Sequence, residues 1–195
     1  MYISKGNRKM NIPTFSLPSD ISCPNKTPLC SKYCYAKKAE RAYPQVLPSR
    51  NRNYDESLDY DFVRRVVLWI IKHKPKYFRI HESGDFYSQD YFDKWCYISA
   101  LCPDTNFLAY TQVYDLSLTL KPNNLTIYWT VWPDSKSVPN NGLKAYVIDD
   151  GTGKISNKLD DKNTHQCPKE IKKDMTCDKC LWCFNSKGDV KFKLH

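Results

Sequence analysis

Apolar residues along this chain change their spacing several times, and each change marks an element. Phe62, Val63, Val66, Val67, Ile70 and Ile71 recur at three- and four-residue steps, which places them on one face of a helix. Asp59 and Asp61 precede that run, and Lys72 and His73 close it, as the helix dipole favours. A second helical run, Tyr91, Phe92, Trp95 and Ile98, has Ser88 as its N-cap and Pro103 as its stop. Residues 35–42 are rich in helix formers, with Pro44 and Pro48 predicted to end that helix. Stretches at 12–17, 77–80, 106–111, 126–131 and 145–148 are short and apolar, and read as strands. Residues 114–120 read as a short helix between two of them. Strands alternating with helices predict an α/β fold built on a mainly parallel sheet.

From Asp149 to Asn163 the chain turns polar and carries Gly151 and Gly153, the composition of a loop or hairpin tip. It divides the chain into an expected α/β domain, residues 1–160, and a cysteine-rich segment, 161–195. At 195 residues and 41% hydrophobic composition the chain is long enough to bury a real core. The cysteine-rich segment is short enough to need a bound ligand for folding. No apolar run approaches the roughly 20 residues that span a bilayer. The basic start, Met1 to Lys9, has no apolar stretch behind it and does not read as a signal peptide. The expected location is the cytoplasm, that of a host cell if the gene is carried by a phage, with no membrane partner.

Nine cysteines in such a compartment change the picture, because cytosolic thiols stay reduced and clustered ones read as metal ligands. Cys96 and Cys102 fit ordinary buried cysteines. The other seven fall into two groups. Cys167, Cys177, Cys180 and Cys183 supply four thiolates, three of them at two-residue gaps, enough for a closed four-iron cluster or a tetrahedral zinc. Cys23, Cys30 and Cys34 supply three, which would leave one iron of a [4Fe-4S] cluster open.

One polar motif lies where chemistry is commonly placed. His81, Glu82, Ser83, Gly84 and Asp85 directly follow the strand at 77–80, and active sites of α/β barrels sit where strands end. His81, Glu82 and Asp85 are the candidate catalytic groups. Ser83 and Gly84, with Tyr110 and Thr111 at the end of the next strand, are candidate cofactor-binding residues. There is no phosphate loop, no Ser/His/Asp nucleophile pattern and no HExxH helix. The net charge of +9 is concentrated early: residues 1–53 hold ten Lys/Arg against two acids. That excess can meet the phosphates of a nucleic acid or a nucleotide cofactor, or hold anionic clusters.

Phe15-Ser-Leu-Pro, then Cys23, Cys30, Cys34-Tyr-Ala and Lys38-Ala-Glu-Arg, resemble the phage family named for gene product eighty-eight. So do Phe78-Arg-Ile-His-Glu-Ser-Gly-Asp-Phe-Tyr, residues 91–95 and Ala109-Tyr-Thr. The match runs from about residue 13 to residue 112, and the C-terminal cysteines extend it. It implies a phage or mobile-element origin. The order of cysteine loop and Gly-containing motif is more loosely similar to radical S-adenosylmethionine enzymes. Their usual loop is Cys-x3-Cys-x2-Cys; here Lys37 stands in the third place and Cys23 substitutes from upstream. That likeness implies a partial, mainly parallel (β/α) barrel-like sheet with a small metal-binding appendage. It also implies a catalytic [4Fe-4S] cluster on Cys23, Cys30 and Cys34, S-adenosylmethionine along His81 to Asp85, and an auxiliary cluster on the last four cysteines. Two alternatives stand beside it. One is a metal-stabilised protein, not an enzyme, that binds nucleic acid or a host protein through its basic N-terminal region. The other is a structural zinc protein.

Overall fold

The computed structural model describes residues 1–7, 9–156 and 164–194. The predicted division near residue 160, and residues 157–163 of the predicted polar loop, lie outside them. Ile3–Ser4 (β1) pairs antiparallel with Thr14–Phe15 (β2), and every later pairing in the sheet is parallel. Tyr77–Ile80 (β3), Asn106–Thr111 (β4), Leu125–Val131 (β5) and Leu143–Ile148 (β6) follow in spatial order. His165–Gln166 (β7) and Val190–Lys193 (β8) complete eight strands, with β8 lying between β6 and β7.

The helices are Pro28–Lys32 (α1), Tyr35–Ala42 (α2), Val46–Leu58 (α3), Phe62–His73 (α4), Gln89–Leu101 (α5) and Cys177–Cys180 (α6). Ser88 caps α5 as predicted, its Oγ accepting the Tyr91 N–H at 3.2 Å. Helix α4 ends at Lys74, whose φ of 47° is left-handed.

Strand alternation sorts side chains onto two faces. Phe78, Ile80, Phe107, Ala109, Ile127 and Trp129 point into the larger core with Phe62, Val66 and Ile70 of α4 and Phe92 and Trp95 of α5. Register keeps the sets aligned, with Phe78 opposite Phe107 and Ile80 opposite Ala109. Leu108, Tyr110 and Tyr128 go to the other face, against Phe184, Trp182 and the C-terminal cysteines.

A parallel sheet needs cover on both faces, and that requirement corrects the expectation of an appendage. The C-terminal segment contributes two strands to the sheet and lines its second face. The sheet also stays open: β1 and β7 are its two edges and do not meet, so no barrel closes. Two local expectations differ as well. Residues 114–120 form turns rather than a helix. Helix α2 does end ahead of Pro44, but Pro48 stops nothing: it sits in the first turn of α3, where its missing N–H costs nothing. Among the described residues no helix is long and apolar enough to cross a membrane.

Candidate functional site

The first thiol group is fastened to the end of β3 by the backbone. Leu17 N–H donates to the Ser83 carbonyl at 2.9 Å, and Ser83 Oγ donates to the Leu17 carbonyl at 2.9 Å. Asp85 N–H reaches the Ser22 carbonyl at 3.1 Å. Gly84 makes this closeness possible: its φ is +88°, and a Cβ there would lie 2.6 Å from Leu17 Cβ and from Ser22 Oγ. Thr27 then caps α1 by accepting the Cys30 N–H at 3.1 Å, and Cys34 stands at the N-cap of α2. Asp134 accepts the Leu29 N–H at 2.9 Å. These ties bring Cys23, Cys30 and Cys34 together at the carboxyl ends of the parallel strands, beside Asp85 and Gln112.

The Gln112 amide donates to Cys30 Sγ at 3.1 Å. Burial pushes the Cys30 thiol up to about 11, against the Gln112 amide, with Cys34, Asp85 and Asp134 adding to the rise. Burial first, then Asp85 and the two neighbouring thiols, drives Cys23 well above the usual thiol range. Such thiols hold their protons until a metal displaces them.

Only part of the predicted strand-end motif faces these thiols. Asp85 does: its carboxylate accepts the Phe86 N–H at 2.7 Å and the Gln112 N–H at 2.8 Å. Thr111 lies beside this carboxylate, its hydroxyl accepting the Val113 N–H at 3.0 Å. Ser83 and Gly84 fasten the cysteine loop. His81 turns away, into the helix-side core, with Nε2 at 2.9 Å from the Tyr91 hydroxyl and its ring against Phe86. Burial, and then the charge of Arg79, lower its pKa to about 3, so it stays neutral. Glu82 takes a third direction, into a separate polar cavity of about 190 Å³ that it shares with Thr14, Arg50 and Asn53. The predicted acid–base trio therefore does not converge.

Asp85 carries a pH prediction. Burial raises it to about 6 from an ordinary 3.8, opposed by the Gln112 N–H, the Thr111 hydroxyl and the Phe86 N–H. The folded chain thus holds this proton more tightly than the unfolded chain does. The resulting stability is complete below about 3.8 and is lost as pH rises through about 6. Urea midpoints measured across that window should fall with pH, and Asp85→Asn should flatten the fall.

The second thiol group lies on the other face of the sheet. Cys167 N–H donates to the Lys191 carbonyl at 3.0 Å beside β8, and Cys177 N–H to the Lys9 carbonyl at 3.2 Å. After α6, Leu181 adopts a left-handed φ of 52° that turns the chain back. Cys167, Cys177, Cys180 and Cys183 thereby line one largely apolar cavity of about 50 Å³, with Arg79, Tyr110 and His165 in the same wall. Tyr110 lines the same cavity as Cys183, so Tyr110 sits with this group and not the strand-end one. Burial raises Cys183 to about 12, against Tyr110 and Arg79, and raises Cys167 to about 11. The Arg79 guanidinium lies 3.9 Å over the Tyr110 ring, and its Nε donates to the His81 carbonyl at 2.9 Å. His165 stacks on Trp182 at 3.7 Å.

Among the described residues, no three His, Cys, Asp or Glu side chains are close enough to hold a single metal ion. Sequence reasoning passed over Arg79 and Asp134. Arg79 had a signal, since a charged residue inside a buried strand needs a partner. Some of the early positive charge is used internally: Lys26 and Lys37 pair with Asp20, and buried Arg50 pairs with Glu40 at 2.8 Å.

Comparison with known proteins supports the resemblance to the phage family. The family described as Gene product 88 matches residues 1–190. The Gene 88 protein of Mycobacterium phage L5 is 29% identical over 221 residues, covering 98% of this chain and 92% of the relative. The Gene 88 protein of Mycobacterium phage D29 is 29% identical over 222 residues, with the same coverage. No solved structure matches. These matches lend no support to the looser likeness to radical S-adenosylmethionine enzymes, which stands on element order alone. From the N-terminal strand to β8, the chain belongs to the Gene product 88 family.

Proposed function

We propose that this phage-type protein is an iron–sulfur protein with two centres, one at the strand ends and one on the second face of the sheet. The observation that carries the reading is the gathering of seven of the nine cysteines into two groups, three at the strand ends and four lining the cavity on the other face. Cys167, Cys177, Cys180 and Cys183 would hold a closed cluster. Cys23, Cys30 and Cys34 would hold one with an iron lacking a protein thiolate, beside Asp85 and Gln112. Clusters of this kind supply one-electron chemistry when bound. Thiols kept reduced to bind metal would suit the cytoplasm of the infected cell.

The test is anaerobic reconstitution of the full chain with iron and sulfide. The expected yield is about eight irons and eight sulfides per chain, with Cys30→Ser and Cys180→Ser each losing about half. Zinc in place of iron, without sulfide, would instead establish the structural zinc protein. An S-adenosylmethionine reaction at the strand-end centre is the finer reading, supported by a group of three rather than four thiols at the carboxyl ends of parallel strands. Reductive cleavage of that molecule by the reconstituted protein, lost in Cys30→Ser, is its expected sign. Clusters without cleavage would remove the reaction and keep the centres.

A further inference from the structure

We propose that the polar cavity between the β1–β2 pair and α3 binds a small zwitterion of the α-amino acid type. Arg50 holds the carboxylate at its floor and Glu82 the ammonium at its rim. The cavity follows from two patterns in the chain. Tyr2 and Ser4, and likewise Thr14 and Ser16, sit at alternating positions in and beside β1 and β2, with Ser4 opposite Thr14. Alternation puts all four on one face of the pair. Ser49, Arg50 and Asn53 share one face of α3 and line the same space. Two polar faces therefore meet and leave about 190 Å³ between them. Such burial is costly unless each polar group finds a partner.

Asn53 finds its partners within the protein, accepting the Tyr2 N–H at 2.7 Å and donating to the carbonyls of Tyr2 and Ser16. Two of its neighbours on the floor do not. Arg50 is 7% exposed and bonds through Nη1 alone, to the Ala36 carbonyl at 3.2 Å and to Glu40 at 2.8 Å. Among the described residues its Nε and Nη2 have no acceptor, so most of the guanidinium fork is unspent. Glu40 is fixed from its other side by Ser19, whose N–H and Oγ donate to it at 3.0 and 2.7 Å. Thr14 is 1% exposed, and its hydroxyl has no partner among the described residues. Glu82 lies nearer the solvent. Its carboxylate accepts from the Asn7 amide and, among the described residues, meets no cation within ion-pair distance. A guanidinium fork at the floor and a carboxylate at the rim call for opposite charges on the two ends of one guest. Water fills polar cavities too, but it offers no charge to either group.

The test is titration of the full chain, read by calorimetry and by backbone amide shifts. The probes are glycine, L-alanine and L-serine, with acetate, methylammonium and glycerol as partial mimics. At least one of the three amino acids should bind saturably and move the amides of Ser4, Ser16 and Ser49. Acetate and methylammonium each carry one of the two charges and should bind on the order of ten-fold more weakly. Glu82→Gln should weaken the amino acid on the order of ten-fold and leave acetate unchanged. Arg50→Lys keeps a cation beside Glu40 but loses the fork, and should weaken both. Saturable binding by none of the amino acids would overturn the proposal and leave a cavity filled by water. Glycerol or acetate bound as tightly as the best amino acid would overturn it as well, as would full amino-acid affinity in Glu82→Gln. Should either variant not fold, the ranking of the probes on the unsubstituted chain decides.

Discussion

Replacing Trp95 with alanine is expected to cost about 3–5 kcal/mol of folding stability, the range for removing a fully buried large aromatic. Trp95 is fully buried on α5 and lies where three elements meet. Its ring centroid is 5.6 Å from Phe15 of β2, 5.7 Å from Phe62 of α4 and 5.8 Å from Phe78 of β3. These are close, mostly tilted ring contacts, which add to the area buried. Because Trp95 packs against α4 and the sheet at once, the cavity left behind cannot close by moving one helix alone. Denaturant titration should show a lower midpoint with little change in slope. Trp95→Phe should recover part of the loss.

Gly84→Ala should produce a loss of similar size by a different route, about 2–5 kcal/mol from left-handed strain and overpacking together. The new methyl group would meet Leu17 Cβ and Ser22 Oγ, both at 2.6 Å. Neither can swing aside freely, since Ser22 Oγ donates to the Pro18 carbonyl at 2.6 Å and Leu17 is laced by its backbone to Ser83. Relief must come from moving the segment that carries Cys23. Metal uptake by the first thiol group should therefore fall along with stability, while uptake by the C-terminal group stays intact. Equal uptake at both groups would show that the turn at Gly84 does not set the position of Cys23.

Much of the fold was legible because it is written in apolar periodicity. Helices α4 and α5 and strands β3 to β6 each bury an apolar face, and a buried apolar face repeats at the period of its element. Helix α3 was missed for a physical reason. The residues it buries are Arg50, Asn53 and Ser57, a helical face made of polar groups that no hydrophobic pattern displays. Those groups are satisfied by distant partners. Arg50 bonds Glu40 and the Ala36 carbonyl, and Asn53 bonds the carbonyls of Tyr2 and Ser16. The strand-end motif was located correctly in the chain, yet the directions of its side chains were not. His81 has a φ of 62°, outside the strand conformation, so strand alternation no longer predicts where it points.

The thiol groups divide along the same line. Spacing alone determined that Cys23, Cys30 and Cys34 belong together, and likewise Cys177, Cys180 and Cys183, because a short loop cannot carry its residues far apart. Tertiary structure alone decided what surrounds them. Parallel register between β3 and β4 sets Arg79 and Tyr110 against the C-terminal cysteines and leaves Gln112 and Asp85 with the N-terminal ones. Parallel pairing of β8 with β6 brings the last segment onto the sheet, whose second face it covers. Register joins segments far apart in the chain, and its energy comes from contacts that exist only once both are in place.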